Sequence, residues 1–305
     1  MNRKRFGRAT AIPVVLAALS CVGCTERGGP LGPTANLTQA TAIRRALGGP
    51  DDAAEAGGGA ETGTGWATLR GRFVFQGTPP APRPKQGVNI KPEEQAICAP
   101  SGPPLERDLI VGPENGLQYV AVFLRRAPRV HESAEAIPEE PFVFDQKNCV
   151  FQEHVFACRV GQTVVLQNSD PVGHNAKIEG RAQFNQTIPA NDSMNYQFPA
   201  EEAAPQAVSC SIHPWMRAYA LPRENGYYAV TSPDGSFEIA NLPAGVELEF
   251  QAWHERGTGT GGGLALDTPE AKELNWSTRG RFKVTLEENE EREIVINVPA
   301  AAVGA

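Results

Sequence analysis

Residues 210–216 read Cys210-Ser211-Ile212-His213-Pro214-Trp215-Met216. This run sets a thiol, an imidazole and a thioether within one short loop, all of them soft or borderline metal donors. A second imidazole is available in Asp170-Pro171-Val172-Gly173-His174-Asn175, which follows the strand-like stretch 163–168. Two imidazoles, one thiolate and a weak axial thioether suit copper in a one-electron role. Four donors from two distant segments need a stiff frame. A strand leading to His174 and a loop carrying Cys210, His213 and Met216, joined across a β-sandwich, would provide it.

The rest of the sequence reads as such a frame. From Trp66, residues Leu69, Gly71, Phe73 and Phe75 alternate with Arg70, Arg72 and Gln76, the period of a half-buried strand. Residues 117–124 are apolar on both faces, as in a central strand, and Val164 and Leu166 continue the pattern. Toward the C-terminus the same period recurs in Phe237 and Ile239, Val246 to Ala252, Phe282 to Leu286, and Ile294 to Val298. Pro233-Asp234-Gly235, Pro243-Ala244-Gly245 and Glu288-Asn289-Glu290 supply turns between them. Short helices are expected only at 92–97 and 269–276, the second opened by Thr268-Pro269. Many short strands with turn punctuation predict an all-β chain of antiparallel sandwiches.

The metal-donor segments resemble those of cupredoxins such as plastocyanin and azurin, and in the ligand loop the amicyanin type. Cys210, His213, Pro214 and Met216 match that loop position by position, and His174-Asn175 matches the upstream His-Asn pair. The resemblance covers about residues 150–220. It implies a Greek-key cupredoxin-like sandwich and one type 1 copper ion held by His174, Cys210, His213 and Met216. It further implies that Asn175 ties the two ligand loops together near Ser211. The edge of His213 is then expected at the surface, beside a small apolar docking patch of Pro214, Trp215 and Ala218. Trp215 packed beneath the loop is the competing expectation. Residues 232–245 resemble the D-G-x-F-x-I-x-x-L-P-x-G hairpin of carboxypeptidase regulatory-like (transthyretin-like) domains, which implies a second, smaller β-sandwich.

The expected organisation is an export signal over 1–24, a disordered linker over 25–65, a copper-type domain over 66–225 and the second sandwich over 226–299. Strand 68–77 fits either sandwich; in the second case the copper-type domain is an insertion. Arg3, Lys4, Arg5 and Arg8 precede an apolar stretch ending at Cys21 and Cys24, either of which could carry a lipid. This predicts export to the periplasm or cell envelope, with membrane attachment through an N-terminal lipid. Loss of the four basic residues takes the formal charge from −7 to −11, which leaves no basic surface for nucleic acid. With Cys210 assigned to metal, Cys98, Cys149 and Cys158 allow one disulfide, Cys98 with Cys149 being the favoured pair and the others remaining open. His154 is read as a satisfied histidine or, with Cys149 and Cys158, as part of a second metal site. His254 reads as structural and His131 as solvated.

A metal filled by protein donors leaves no position for substrate, so the chain is read as a carrier and not an enzyme. An oxidase would need H-x-H histidine pairs, and the five histidines form none. Redox proteins, a cytochrome or a dehydrogenase, are the expected partners. The alternatives are periplasmic copper delivery and a cell-surface interaction module with an inert site.

Overall fold

The computed structural model describes residues 63–305 apart from Ala182. The export segment, Cys21, Cys24 and linker residues 25–62 lie outside the described residues. Among those described, the chain is all-β, with several sheets packed as sandwiches and only short helices.

The first sandwich is built from both ends of the described chain. Strand β1 (Trp66–Gln76) lies between β13 (Ser236–Pro243), antiparallel to it, and β16 (Glu291–Pro299), parallel to it. A second sheet runs β12 (Tyr228–Val230), β2 (Ala121–Leu124), β14 (Glu247–Trp253), β15 (Arg281–Thr285). Strands β1 and β2 precede residue 226, yet their hydrogen-bonded neighbours follow it. In β1 the expected alternation is realised: Ala67, Leu69, Gly71, Phe73 and Phe75 point inward and the intervening residues are part-exposed. Phe73, Phe75, Val122, Leu124, Phe250, Phe282, Ile296 and Val298 share one core. Each such side chain contributes roughly 1.5–3 kcal/mol by burial.

The intervening chain builds two further sheets. One runs β4 (Val150–Phe151), β3 (Phe142–Lys147), β6 (Val164–Asn168), β9 (Ser193–Tyr196). The other runs β5 (Val155–Arg159), β11 (Arg217–Arg223), β10 (Gln206–Ser209), β7 (His174–Ile178), β8 (Phe184–Ile188). Their shared core contains Phe144, Phe156, Leu166, Ala176, Val208 and Ala218, together with Cys210, Trp215 and Met216. The pairing is not wholly antiparallel, as the turn pattern had suggested. The pairs β1–β16, β3–β6 and β5–β11 are parallel. Parallel neighbours need long crossovers, and these leave no local trace in the sequence.

Strand β2 explains its own doubly apolar sequence. Val122 and Leu124 face the first core, whereas Ala121 and Phe123 pack with Val155, Leu221 and Trp253. Arg223 of β11 strengthens this junction: its guanidinium donates to the Leu124 carbonyl at 2.9 Å and lies over the Phe123 ring. His154 and His254 also lie here, both buried. His154 Nε2 is 2.5 Å from Glu255 Oε2, and the Tyr219 hydroxyl donates to the other Glu255 oxygen at 2.9 Å.

The helices sit near their expected places. A 3-10 turn at Pro92–Glu94 runs into α1 (Gln95–Cys98). An additional helix, α2 (Glu132–Glu135), is capped by His131 Nδ1 accepting from the Ser133 N–H, which gives the part-exposed His131 a structural role. Helix α3 (Pro269–Glu273) opens at Thr268, whose side chain accepts from the Ala271 N–H.

Two stability outcomes follow from this packing. A Cβ at Gly71 would come within 2.5 Å of the Phe237 ring and 2.9 Å of Ile294 Cγ1. Gly71→Ala should therefore cost about 1–3 kcal/mol by overpacking, measured as a lower denaturation midpoint. An unchanged midpoint would mean that Phe237 moves aside freely. Burial, partly offset by Glu255, lowers the His254 pKa from 6.5 to about 4. As pH falls through that window the unfolded chain takes up a proton that the folded chain refuses, so stability is lost, on the order of 3 kcal/mol in full. Urea unfolding at about pH 7 and pH 4.5 should show a smaller acid loss in His254→Asn, which does not titrate.

Candidate metal centre

Three neighbouring strands bring the predicted donors together. Strand β10 pairs with β11 on one side and β7 on the other, both antiparallel. Cys210 directly follows β10, Met216 directly precedes β11, and His174 is the first residue of β7. The register Ser209↔Lys177 carries Cys210 alongside the start of β7. The loop is closed on itself by Cys210 N–H to the Met216 carbonyl (3.3 Å) and Met216 N–H to the His213 carbonyl (2.9 Å). Asn175 joins the two segments: its Oδ1 accepts from the Ser211 N–H at 2.5 Å, and its own N–H donates to Cys210 Sγ at 3.3 Å. The Asn175–Ser211 tie expected from the sequence is thus present.

The donor atoms converge. His174 Nδ1 and His213 Nδ1 are 2.8 Å apart, and Cys210 Sγ is 3.9 Å from His213 Nδ1. His174, Cys210 and His213 each offer a ligand atom within 4.8 Å of the others. All three, and Met216, are at most 1% exposed. Burial pushes the Cys210 thiol up, but hydrogen bonds from His174, His213 and the Asn175 and His213 N–H groups outweigh it, and its pKa falls to about 6. Burial likewise opposes charge on His174, but Asp170 and Cys210 prevail and raise its pKa to about 9. A sulfur held as thiolate beside two inward-facing ring nitrogens is a donor set that fits a soft or borderline metal.

Each imidazole is also gripped from behind. His174 Nε2 lies 2.7 Å from Asp170 Oδ2, which leaves Nδ1 to face the cluster. Asp170 accepts in addition from the Asn148 and Cys149 N–H groups, at 2.7 and 2.8 Å. Burial raises the Asp170 carboxyl, yet these bonds keep its pKa below the usual value. The two N–H groups belong to the two-residue turn between β3 and β4, where Asn148 and Cys149 both have positive φ. Such a turn favours Asn-Gly, so the Cys149 backbone needs outside support. Asp170 holds its N–H, and the Cys98–Cys149 disulfide, the favoured pair, anchors its side chain.

The second imidazole departs from expectation. His213 is 1% exposed, and its Nε2 lies 3.4 Å from Glu94 Oε2. Trp215 is buried beneath the loop, its ring 5.1 Å from that of His213 and its Nε1 donating to the Cys149 carbonyl at 3.1 Å. Ala218 is in the core, and of residues 210–218 only Ser211, Ile212, Pro214 and Arg217 face solvent. The expected patch around an open His213 edge is therefore absent, because residues near Glu94 occupy that space.

Asp170 and Glu94 carry no role in the sequence reading. Asp170 had a local signal, standing four residues before His174. Glu94 had none, being 119 positions from His213. His154 is engaged by Glu255 and belongs to no donor cluster among the described residues. Cys158 is a buried free thiol in the core, pushed up to about 12 by burial.

No protein-family model and no curated protein matches the chain. Among solved structures, a reduced Cu(I) amicyanin variant at pH 4 aligns at 20% identity, covering 28% of this chain and 86% of that one, with a TM-score of 0.26. A Cu-containing nitrite reductase from Thermus scotoductus SA-01 aligns at 22% identity over 31% of this chain and 25% of its own, again with a TM-score of 0.26.

Proposed function

We propose that the chain holds one copper ion as a type 1 centre and passes single electrons between redox proteins. The observation that carries this is the convergence of His174 Nδ1, His213 Nδ1 and Cys210 Sγ in a buried cluster beside Met216. When bound, copper supplies a one-electron couple. The chain's own residues do the rest. Cys210 would hold the ion as a thiolate, His174 and His213 as imidazoles, and Met216 as a weak thioether donor. Asp170 fixes the His174 tautomer, and Asn175 locks the loop against β7. A frame of three hydrogen-bonded strands keeps these groups in place in either oxidation state, which favours rapid electron exchange.

Burial of all four donors supports a carrier over a delivery protein, whose ligands must be handed from one protein to the next. The same filled donor set supports a non-catalytic role. In this reading the sandwich of β3–β11 is cupredoxin-like and is inserted into a regulatory-like sandwich formed by β1, β2 and β12–β16. The N-terminal segment directs export to the periplasm or envelope and, through lipid on Cys21 or Cys24, tethers the protein near a membrane-bound partner. A cytochrome or a dehydrogenase is the proposed partner class.

Adding Cu(II) to the metal-free protein should give intense visible absorption from a copper–thiolate bond, saturating at one copper per chain. Cys210→Ala should abolish it. Colour that survives that substitution would sink the proposal. Met216→Leu should keep the colour but raise the reduction potential, because a donor that favours the oxidised ion is lost. Voltammetry of the two proteins checks this.

A further inference from the structure

Residues 88–98 lie against the donor cluster. Val88, Ile90 and Ile97 pack on the core that holds Cys210 and Met216. At the end of α1, Cys98 is bonded to Cys149. The two sulfurs and a ring nitrogen of His213 lie within 4.8 Å of one another. The preceding turn presents Glu94, whose side chain is only 13% exposed and whose other oxygen is 3.3 Å from Lys91 Nζ. The Glu94 carboxylate thereby meets His213 Nε2, the side of the ring turned away from His174 and Cys210.

We propose that residues 88–98 form a latched cap over the outer edge of His213, with Glu94 as a positioning residue for that imidazole and the Cys98–Cys149 disulfide as the latch. The redox consequence rests on the copper reading above, whereas the cap itself rests on contacts of the protein alone. A carboxylate at Nε2 fixes the ring so that Nδ1 faces the cluster. Its negative charge favours the more oxidised, more positive metal and so lowers the potential. The cap also places a layer of protein between His213 and any partner. Electron exchange through that edge then depends on whether the latch is closed. With 88–98 attached mainly through a few apolar contacts, Glu94 and one disulfide, its opening is a local event that need not unfold the sandwich.

The test begins with the metal-free full chain and diethyl pyrocarbonate, which acylates accessible imidazole nitrogens, read by peptide mass spectrometry. The chain is compared with its disulfide intact and after reduction by a water-soluble phosphine. That reagent becomes its oxide with oxygen from water as the S–S bond breaks and each sulfur takes a proton. His213 should react at least about tenfold faster after reduction. Buried His154, held by Glu255 at the junction of the sandwiches, should stay slow. Should His154 speed up equally, the sandwich has opened as a whole, and Glu94→Ala with the disulfide intact decides the matter. This variant should expose His213, whereas Glu94→Gln, which retains an acceptor, should keep it protected. Equal His213 reactivity in the intact protein, the reduced protein and Glu94→Ala would overturn the cap. In the copper-loaded protein at fixed pH, Glu94→Gln should raise the reduction potential without loss of colour. An unchanged potential would overturn the effect assigned to the Glu94 charge, while the positioning role is decided by the Glu94→Ala acylation result. A wild-type protein that stays colourless with Cu(II) would count against the copper reading, while the acylation result would still decide the cap.

Discussion

A carboxylate taken out of water costs several kcal/mol unless hydrogen bonds replace its hydration. Asp170, at 2% exposure, has such replacements in the Asn148 and Cys149 N–H groups and in His174 Nε2. These three partners come from two different parts of the donor region. The turn they stabilise carries the disulfide, and the histidine they orient faces the metal-donor cluster. The placement of both the cap and the inner imidazole therefore depends on one buried anion. Removing it would leave a left-handed Cys149 without its backbone acceptor and His174 free to rotate.

The outer imidazole is held by similar means but from a less secure base. Asp170 sits in the loop that carries the chain from β6 to β7 in the other sheet, braced by Asn168, whose Nδ2 donates to the Val172, Ile188 and Pro189 carbonyls. Glu94 sits on a single turn of 3-10 helix in a segment with little regular structure. The inner edge of the site is thus set by sheet strands and the braced loop between them, and the outer edge by a short element stapled through Cys98. Local stability follows contact and hydrogen-bond density, so the two edges should open with different ease. In the proposed carrier role, such a site keeps its donors fixed while the exposure of its outer edge varies.

The two sandwiches are joined through strands as well as through the connecting chain. Strand β2 lends one face to each side, and Arg223 of β11 donates across to its last carbonyl. Tyr219, on the same strand that follows Met216, bonds to Glu255, just beyond β14. A side chain three residues from Met216 thus belongs to a part-buried polar network between the sandwiches, which limits how far the loop 210–216 can move relative to the first sandwich.

The sequence by itself determined the donor types, their spacing and the strand periods. Cys210, His213 and Met216 lie on one loop whatever the topology, and the alternation of Leu69, Gly71, Phe73 and Phe75 follows from the two-residue repeat of any half-buried strand. Even the Asn175–Ser211 tie was legible, through the resemblance of the donor segments to those of cupredoxins. What only the tertiary structure decided is everything that depends on which strands become neighbours. The assignment of β1 and β2 to the sheets of β12–β16, the three parallel pairs, and the approach of Glu94 to His213 all join residues far apart in the chain. Side-chain periodicity reports which face of a strand is buried, but not what buries it. For that reason the loop 210–216 could be read as a metal centre from its residues alone, whereas its closure under residues 88–98 could not.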